Sequence, residues 1–122
     1  MSRILIIDDE QPIRSVLRRV LERAGHEVGE ADDGQAGLKQ IAASSFDLVV
    51  TDIVMPTMEG VEFIFQVHRE QPDLKVIAMS GGGRVAPKEY LNMARAAGAV
   101  SVLAKPFTIE ALLAAVDAAL KR

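Results

Sequence analysis

The stretch Arg3-Ile4-Leu5-Ile6-Ile7-Asp8-Asp9-Glu10 decides the fold. Four apolar, β-favouring residues in succession, without polar alternation, describe a strand buried on both faces, the habit of parallel sheets covered by helices on each side. The run then stops on acid. Three further short apolar runs end in a similar way: Leu48-Val49-Val50-Thr51 before Asp52, Val76-Ile77-Ala78-Met79 before Ser80, and Val100-Ser101-Val102-Leu103 just ahead of Lys105. In an open parallel sheet the ligand crevice lies outside the carboxyl ends of the strands. Asp8, Asp9, Asp52, Ser80 and Lys105 are therefore expected to converge. Three carboxylates, a hydroxyl and an ammonium suit a divalent cation together with a phosphoryl group.

Segments of helical spacing separate these runs. From Pro12 to Ala24 the apolar positions Ile13, Val16, Leu17, Val20 and Leu21 recur with helical period, Pro12 suits a first turn, and Gly25 stops the helix. Residues 27–31 read as a weaker strand and Ala36 to Ala43 as a short helix, with a strand at 47–51 and a loop from Met55 to Gly60. Val61 to Arg69 is helical, 75–79 is a strand followed by the triplet Gly81 to Gly83, and a helix spans Pro87 to Ala97 before Gly98. A strand at 100–103 precedes a last helix, capped by Thr108, that carries Ile109, Leu112, Leu113, Val116 and Leu120 inward. Five βα units of this kind imply an α/β fold with a parallel sheet covered on both faces; the arrangement expected is five strands in the order 2-1-3-4-5, doubly wound and flavodoxin-like, with five helices. No linker, repeat or low-complexity stretch interrupts residues 1–122, which read as one domain without an output domain.

Composition narrows the function. With 4 Phe, 1 Tyr and no Trp the chain lacks base-stacking platforms, and a net charge of −3 with scattered Lys and Arg argues against a nucleic-acid surface. No cysteine means no disulfide and no thiolate chemistry. No signal peptide precedes the first strand and no apolar run approaches a membrane span, so a cytoplasmic protein is expected.

Each candidate residue has an ordinary reading when taken alone. Asp8-Asp9-Glu10 could be a solvated loop, Asp52 a turn residue before Met55-Pro56, Ser80 loop chemistry before glycine, and Lys105 a lysine snorkelling out of a buried strand. Together they weigh differently, because the first and third strands are neighbours in the expected order. Carboxylates held close repel one another, and something must offset that repulsion. Mg2+ fits, as a hard ion bound by one or two carboxylates, waters and phosphate oxygens; the spacing is nothing like an EF-hand calcium loop. His26 and His68 read as surface or turn residues.

The segments Ile6-Ile7-Asp8-Asp9-Glu10, Val50-Thr51-Asp52-Ile53-Val54-Met55-Pro56-Thr57-Met58-Glu59-Gly60, Met79-Ser80-Gly81 and Gly98-Ala99 through Lys105-Pro106-Phe107 resemble, in order and over essentially the whole length, a response-regulator receiver domain similar to the chemotaxis response regulator. The resemblance implies a phosphorylation-dependent switch of two-component signalling, which accepts a phosphoryl group from a phosphohistidine of a histidine kinase or phosphotransfer protein. Asp52 would be the acceptor, helped by Lys105 and Ser80. Mg2+ would be bound by Asp9, Asp52 and the Val54 carbonyl, with Asp8 acting mainly through a bound water. The Lys105–Pro106 bond would be cis. Such a domain is no enzyme in its own right beyond its own phosphoryl transfer and slow autodephosphorylation. It would be a monomer or weak dimer, free of nucleic acid and membrane, and would signal to a downstream protein through the face of the fourth helix, fifth strand and last helix.

The chain departs from the family at Val102, where relatives usually carry Tyr or Phe, and in the glycine triplet, which is costly to order. Neither Val54 nor Gly82, which would flank the phosphoryl group, can orient a hydrolytic water. Three rival readings are weaker. An aspartate-dependent phosphatase would place its nucleophile on the first strand. A nucleotide binder would need Gly, Ser or Thr where Asp8-Asp9-Glu10 repels phosphate. A phosphorylation-independent module has no use for the acidic trio with Ser80 and Lys105.

Overall fold

The computed structural model describes residues 2–53, 60–80 and 88–121. Its elements run β1 (Arg3–Ile7), α1 (Gln11–Arg23), β2 (Glu27–Ala31), α2 (Gly34–Ala43), β3 (Leu48–Asp52), α3 (Gly60–Glu70), β4 (Lys75–Ser80), α4 (Lys88–Ala97), β5 (Ser101–Ala104) and α5 (Ile109–Leu120). The strands form one parallel sheet, as the alternation of strand and helix implied, in the expected order β2-β1-β3-β4-β5.

Side chains alternate across a strand, and the apolar runs divide between two cores accordingly. Leu5 and Ile7 of β1 join Val49, Val76 and Ala78 under Ile41 of α2, Phe63, Ile64 and Val67 of α3, and Ala94 and Ala97 of α4. Ile4 and Ile6 join Leu48, Val50, Ile77 and Met79 under Leu17 and Leu21 of α1 and Leu112, Val116 and Ala119 of α5. Burial on both faces is what made the strands read as unbroken apolar runs.

Register brings the carboxyl ends of the strands level. Ile7 pairs with Ala31 on one side and Thr51 on the other, so that Asp8, the next residue, comes level with Asp52. Asp52 pairs with Met79, and Ser80 with Ala104, one residue before Lys105.

Several boundaries and faces differ from the sequence reading. The third strand begins at Leu48 and takes in Asp52, because Asp47 is drawn aside: its Oδ2 accepts from the Arg3 amide at 2.8 Å. Ser80 is the last residue of β4 and does not follow it. The second helix starts earlier, at Gly34, since Asp33 caps it by accepting from Ala36 N at 2.8 Å. Ile109, expected inward, is 53% exposed, and Val16, one of the apolar positions of helical period, is 59% exposed. On α1 the i, i+4 pair Leu17 and Leu21 forms the buried seam, and Val16 lies a quarter-turn away; Ile109 is the first residue of α5, where the sheet ends. The Met55–Gly60 loop up to Glu59, the glycine triplet and Pro87 lie outside the described residues.

Helix ends match the sequence signals. Gly25 has φ +98°, with Gly25 N donating to Glu22 O at 3.0 Å and His26 N to Leu21 O at 3.1 Å, the paired bonds of a Schellman cap. Gly98 ends α4 in the same way, with φ +128°. Thr108 caps α5, accepting from Ala111 N at 3.0 Å.

Candidate functional site

Asp8 has no solvent exposure, and a buried carboxylate is costly unless its oxygens are paired. Both are. Oδ1 accepts from the Glu10 amide at 2.9 Å, and Oδ2 accepts from Lys105 Nζ at 2.9 Å. The same ammonium lies 3.6 Å from Asp52 Oδ2, so Lys105 bridges the ends of β1 and β3. Burial works against this ammonium. The hydrogen bond to Asp8, then the charges of Asp52, Asp8 and Glu10, outweigh burial and hold Lys105 above the ordinary lysine range.

Asp9 is exposed at the rim. One carboxylate oxygen from each of Asp8, Asp9 and Asp52 lies within 4.8 Å of the others. Like charges at such spacing are repulsive, and one ammonium cannot balance three carboxylates. A hard divalent cation suits this all-oxygen donor set. The Lys105–Pro106 peptide bond is cis, as the resemblance implied.

The structure thus brings together Asp8, Asp9, Asp52 and Lys105, each named from sequence. The backbone of Ser80 stands at the same edge, in register with Ala104; its side chain lies outside the described positions, as does all of Val54. His26 and His68 lie elsewhere. His26 Nδ1 is a buried atom without a hydrogen bond among the described residues, so that imidazole is not purely a surface group.

Sequence reasoning missed a second polar cluster beside the acids. Arg14 donates from Nη1 to the Asp8 carbonyl at 2.6 Å and from Nε to Glu30 Oε1 at 3.1 Å. Arg18 donates from Nη1 to Glu30 Oε2 at 2.8 Å. The Arg18 hydrogen bond, opposed by partial burial and reinforced by Arg14, holds the Glu30 carboxyl below its usual range. A charged residue inside the short strand Glu27–Ala31, with two arginines spaced i, i+4 on the preceding helix, was the available signal. An apolar groove of about 510 Å³ also opens beside Lys105, lined by Pro12, Ile13, Val16, Leu17, Pro106 and Phe107.

A doubly wound parallel sheet with clustered carboxylates and a lysine at its carboxyl edge defines the class: an α/β domain equipped for phosphoryl chemistry. The chain belongs to the response regulator receiver domain family, whose family model matches residues 4–117. It is 35% identical over 113 residues to the response regulator receiver protein CpdR of Brucella abortus (strain 2308), covering 93% of this chain and 92% of that protein. It is 36% identical over 119 residues to the DNA-binding transcriptional regulator NtrC of Azospirillum brasilense, covering 96% of this chain but only 24% of that longer protein. Among solved structures, a CheY-like response regulator receiver domain protein from Methanospirillum hungatei JF-1 is similar at a TM-score of 0.93 and 33% identity, over 99% of this chain and 94% of that one. The domain is accordingly a phosphorylation-dependent switch of two-component regulation, a signalling module. No helix among the described residues is long and apolar enough to cross a membrane.

Proposed function

We propose that Asp52 is the phosphoryl acceptor and that Asp8, Asp9, Asp52 and the Val54 carbonyl hold Mg2+. One observation carries this reading: three carboxylates share a site 4.8 Å across, bridged by Lys105 between Asp8 and Asp52. When bound, Mg2+ supplies charge neutralisation for the phosphoryl oxygens and the carboxylates. A carboxylate oxygen of Asp52 attacks phosphorus, the P–N bond to the donor imidazole breaks, and that nitrogen keeps the bonding pair. The nucleophile is weak, so positioning and charge do most of the catalysis. Lys105, already 3.6 Å from Asp52, meets one phosphoryl oxygen, and the Ser80 hydroxyl donates to another. The resulting acyl phosphate hydrolyses slowly.

The donor is a phosphohistidine on a histidine kinase or phosphotransfer protein, which meets this domain in the cytoplasm. The apolar groove between the start of α1 and Phe107 gives that protein a surface beside Lys105. Output goes to a downstream protein over α4, β5 and α5, from a monomer or weak dimer. Ala114 and Ala118 give the exposed side of α5 small side chains, whereas Ala119 is buried in the core.

The test is phosphorylation by acetyl phosphate with Mg2+. One acid-stable, base-labile phosphoryl group is expected on Asp52, absent from Asp52→Ala and formed or read out poorly in Lys105→Ala. Peptide mass spectrometry locating the label elsewhere, or full labelling of Asp52→Ala, overturns the assignment.

A further inference from the structure

One cation at this edge takes no part in the chemistry proposed for Asp52 and Lys105. The Arg14 side chain, only 15% exposed, grips the acidic turn from behind. Its guanidinium donates to the Asp8 carbonyl at 2.6 Å, while its amide donates to Glu10 O at 3.1 Å, so a single residue holds both ends of Asp8-Asp9-Glu10. Arg14 is held in its turn. Glu30 accepts from its Nε and from Arg18, and Glu30 is itself anchored on β2, level with Ile6, with its carbonyl accepting from Gln40 Nε2 at 2.5 Å. The chain of contacts runs from α2 through the edge strand and α1 to the backbone of the acids.

Two kinds of contact fix Asp8, and a cation would affect them differently. The Lys105 bond uses a carboxylate oxygen, for which a metal competes. The Arg14 bond uses the main-chain carbonyl, which a cation held by the side-chain carboxylates leaves to Arg14. We propose that Arg14, clamped by Glu30, is a positioning residue that presets the Asp8-Asp9-Glu10 turn for the divalent cation; this rests on the metal assignment made above. A planar fork of donors is needed, since one group must serve a carbonyl and a carboxylate at once.

Calorimetric Mg2+ titration and amide exchange of the metal-free protein test the clamp. Outer partners of metal ligands commonly control affinity by 10- to 100-fold, so Arg14→Ala should weaken Mg2+ binding by about tenfold. It should also speed exchange of the Glu10 amide, which donates to Asp8 Oδ1. Arg14→Lys should fall between parent and Arg14→Ala, and Glu30→Gln should weaken binding severalfold. Leu21→Val, which loosens the same helix in the core, should lower the melting temperature and leave the Mg2+ constant unchanged. Parent-like Mg2+ affinity in Arg14→Ala overturns the proposal, as does equal weakening in Leu21→Val. Should Arg14→Ala not fold, parent-like affinity in both Arg14→Lys and Glu30→Gln overturns it. A parent whose Mg2+ binding survives Asp9→Asn undiminished defeats the metal assignment first, and the clamp with it.

Discussion

Lys105 shows how a single charge serves both the fold and the chemistry. Its side chain is 9% exposed and that of Asp8 is fully buried, so each charge is offset chiefly by the other. Breaking a buried pair from one side leaves an uncompensated charge, and Lys105→Ala should therefore destabilise the metal-free protein by about 3 kcal/mol in urea denaturation. The pH dependence has a definite sign. The folded-state pKa of Lys105 is raised above 10.5, so its contribution is complete below that value and is lost as pH rises through the folded pKa. The parent should lose stability in that alkaline window, and Lys105→Ala should lose less. Equal alkaline slopes in the two proteins would count against the pair.

At the scale of elements, two glycines do different work and separate two physical costs. Gly25 ends α1 at φ +98°, yet a Cβ there would meet nothing within 4 Å. Gly25→Ala should cost about 1 kcal/mol, from backbone strain alone. Gly37 lies inside α2 with no such strain, but a Cβ there would run into the Ile7 side chain and press on Phe63, both fully buried. Overpacking of this kind costs about 1–3 kcal/mol, offset in part by the helix preference of alanine over glycine, ~0.5–1 kcal/mol. Both variants should melt lower. Only Gly37→Ala should shift methyl resonances of the core built on α2, α3 and α4, and a silent core in that variant would refute the close approach.

For the whole molecule, the edge trades stability for function. Three carboxylates gathered at one end of the sheet oppose folding, and a ligand that binds only the native state offsets this by mass action. Mg2+ at about a hundredfold excess over its Kd should add roughly 2.7 kcal/mol, a rise in melting temperature on the order of 10 °C. Asp52→Asn removes one of the repelling charges, so it should raise the metal-free melting temperature and blunt the response to Mg2+. A melting temperature indifferent to Mg2+ in the parent would exclude the proposed cation site. Val102 packs half-buried against the core beneath α2, α3 and α4, and its β-branched side chain is stiff about its first torsion.

Local chemistry determined a great deal of this protein. Unbroken apolar runs are legible because strands covered on both faces need no polar alternation, and glycine or threonine at a helix end acts within one turn of chain. The acidic edge followed, since residues just past parallel strands must share one edge of the sheet. What tertiary structure alone decided involves partners distant in sequence. Whether Val16 or Leu17 faces inward depends on how α1 lies over the sheet. Lys105 pairs with Asp8 more closely than with Asp52, across 97 positions of chain. Arg14 and Arg18, one turn apart on α1, form a clamp only because β2 places Glu30 between them. Periodicity records which face of an element is apolar; it carries no record of which polar groups will meet across the fold, because those contacts are set by packing between elements.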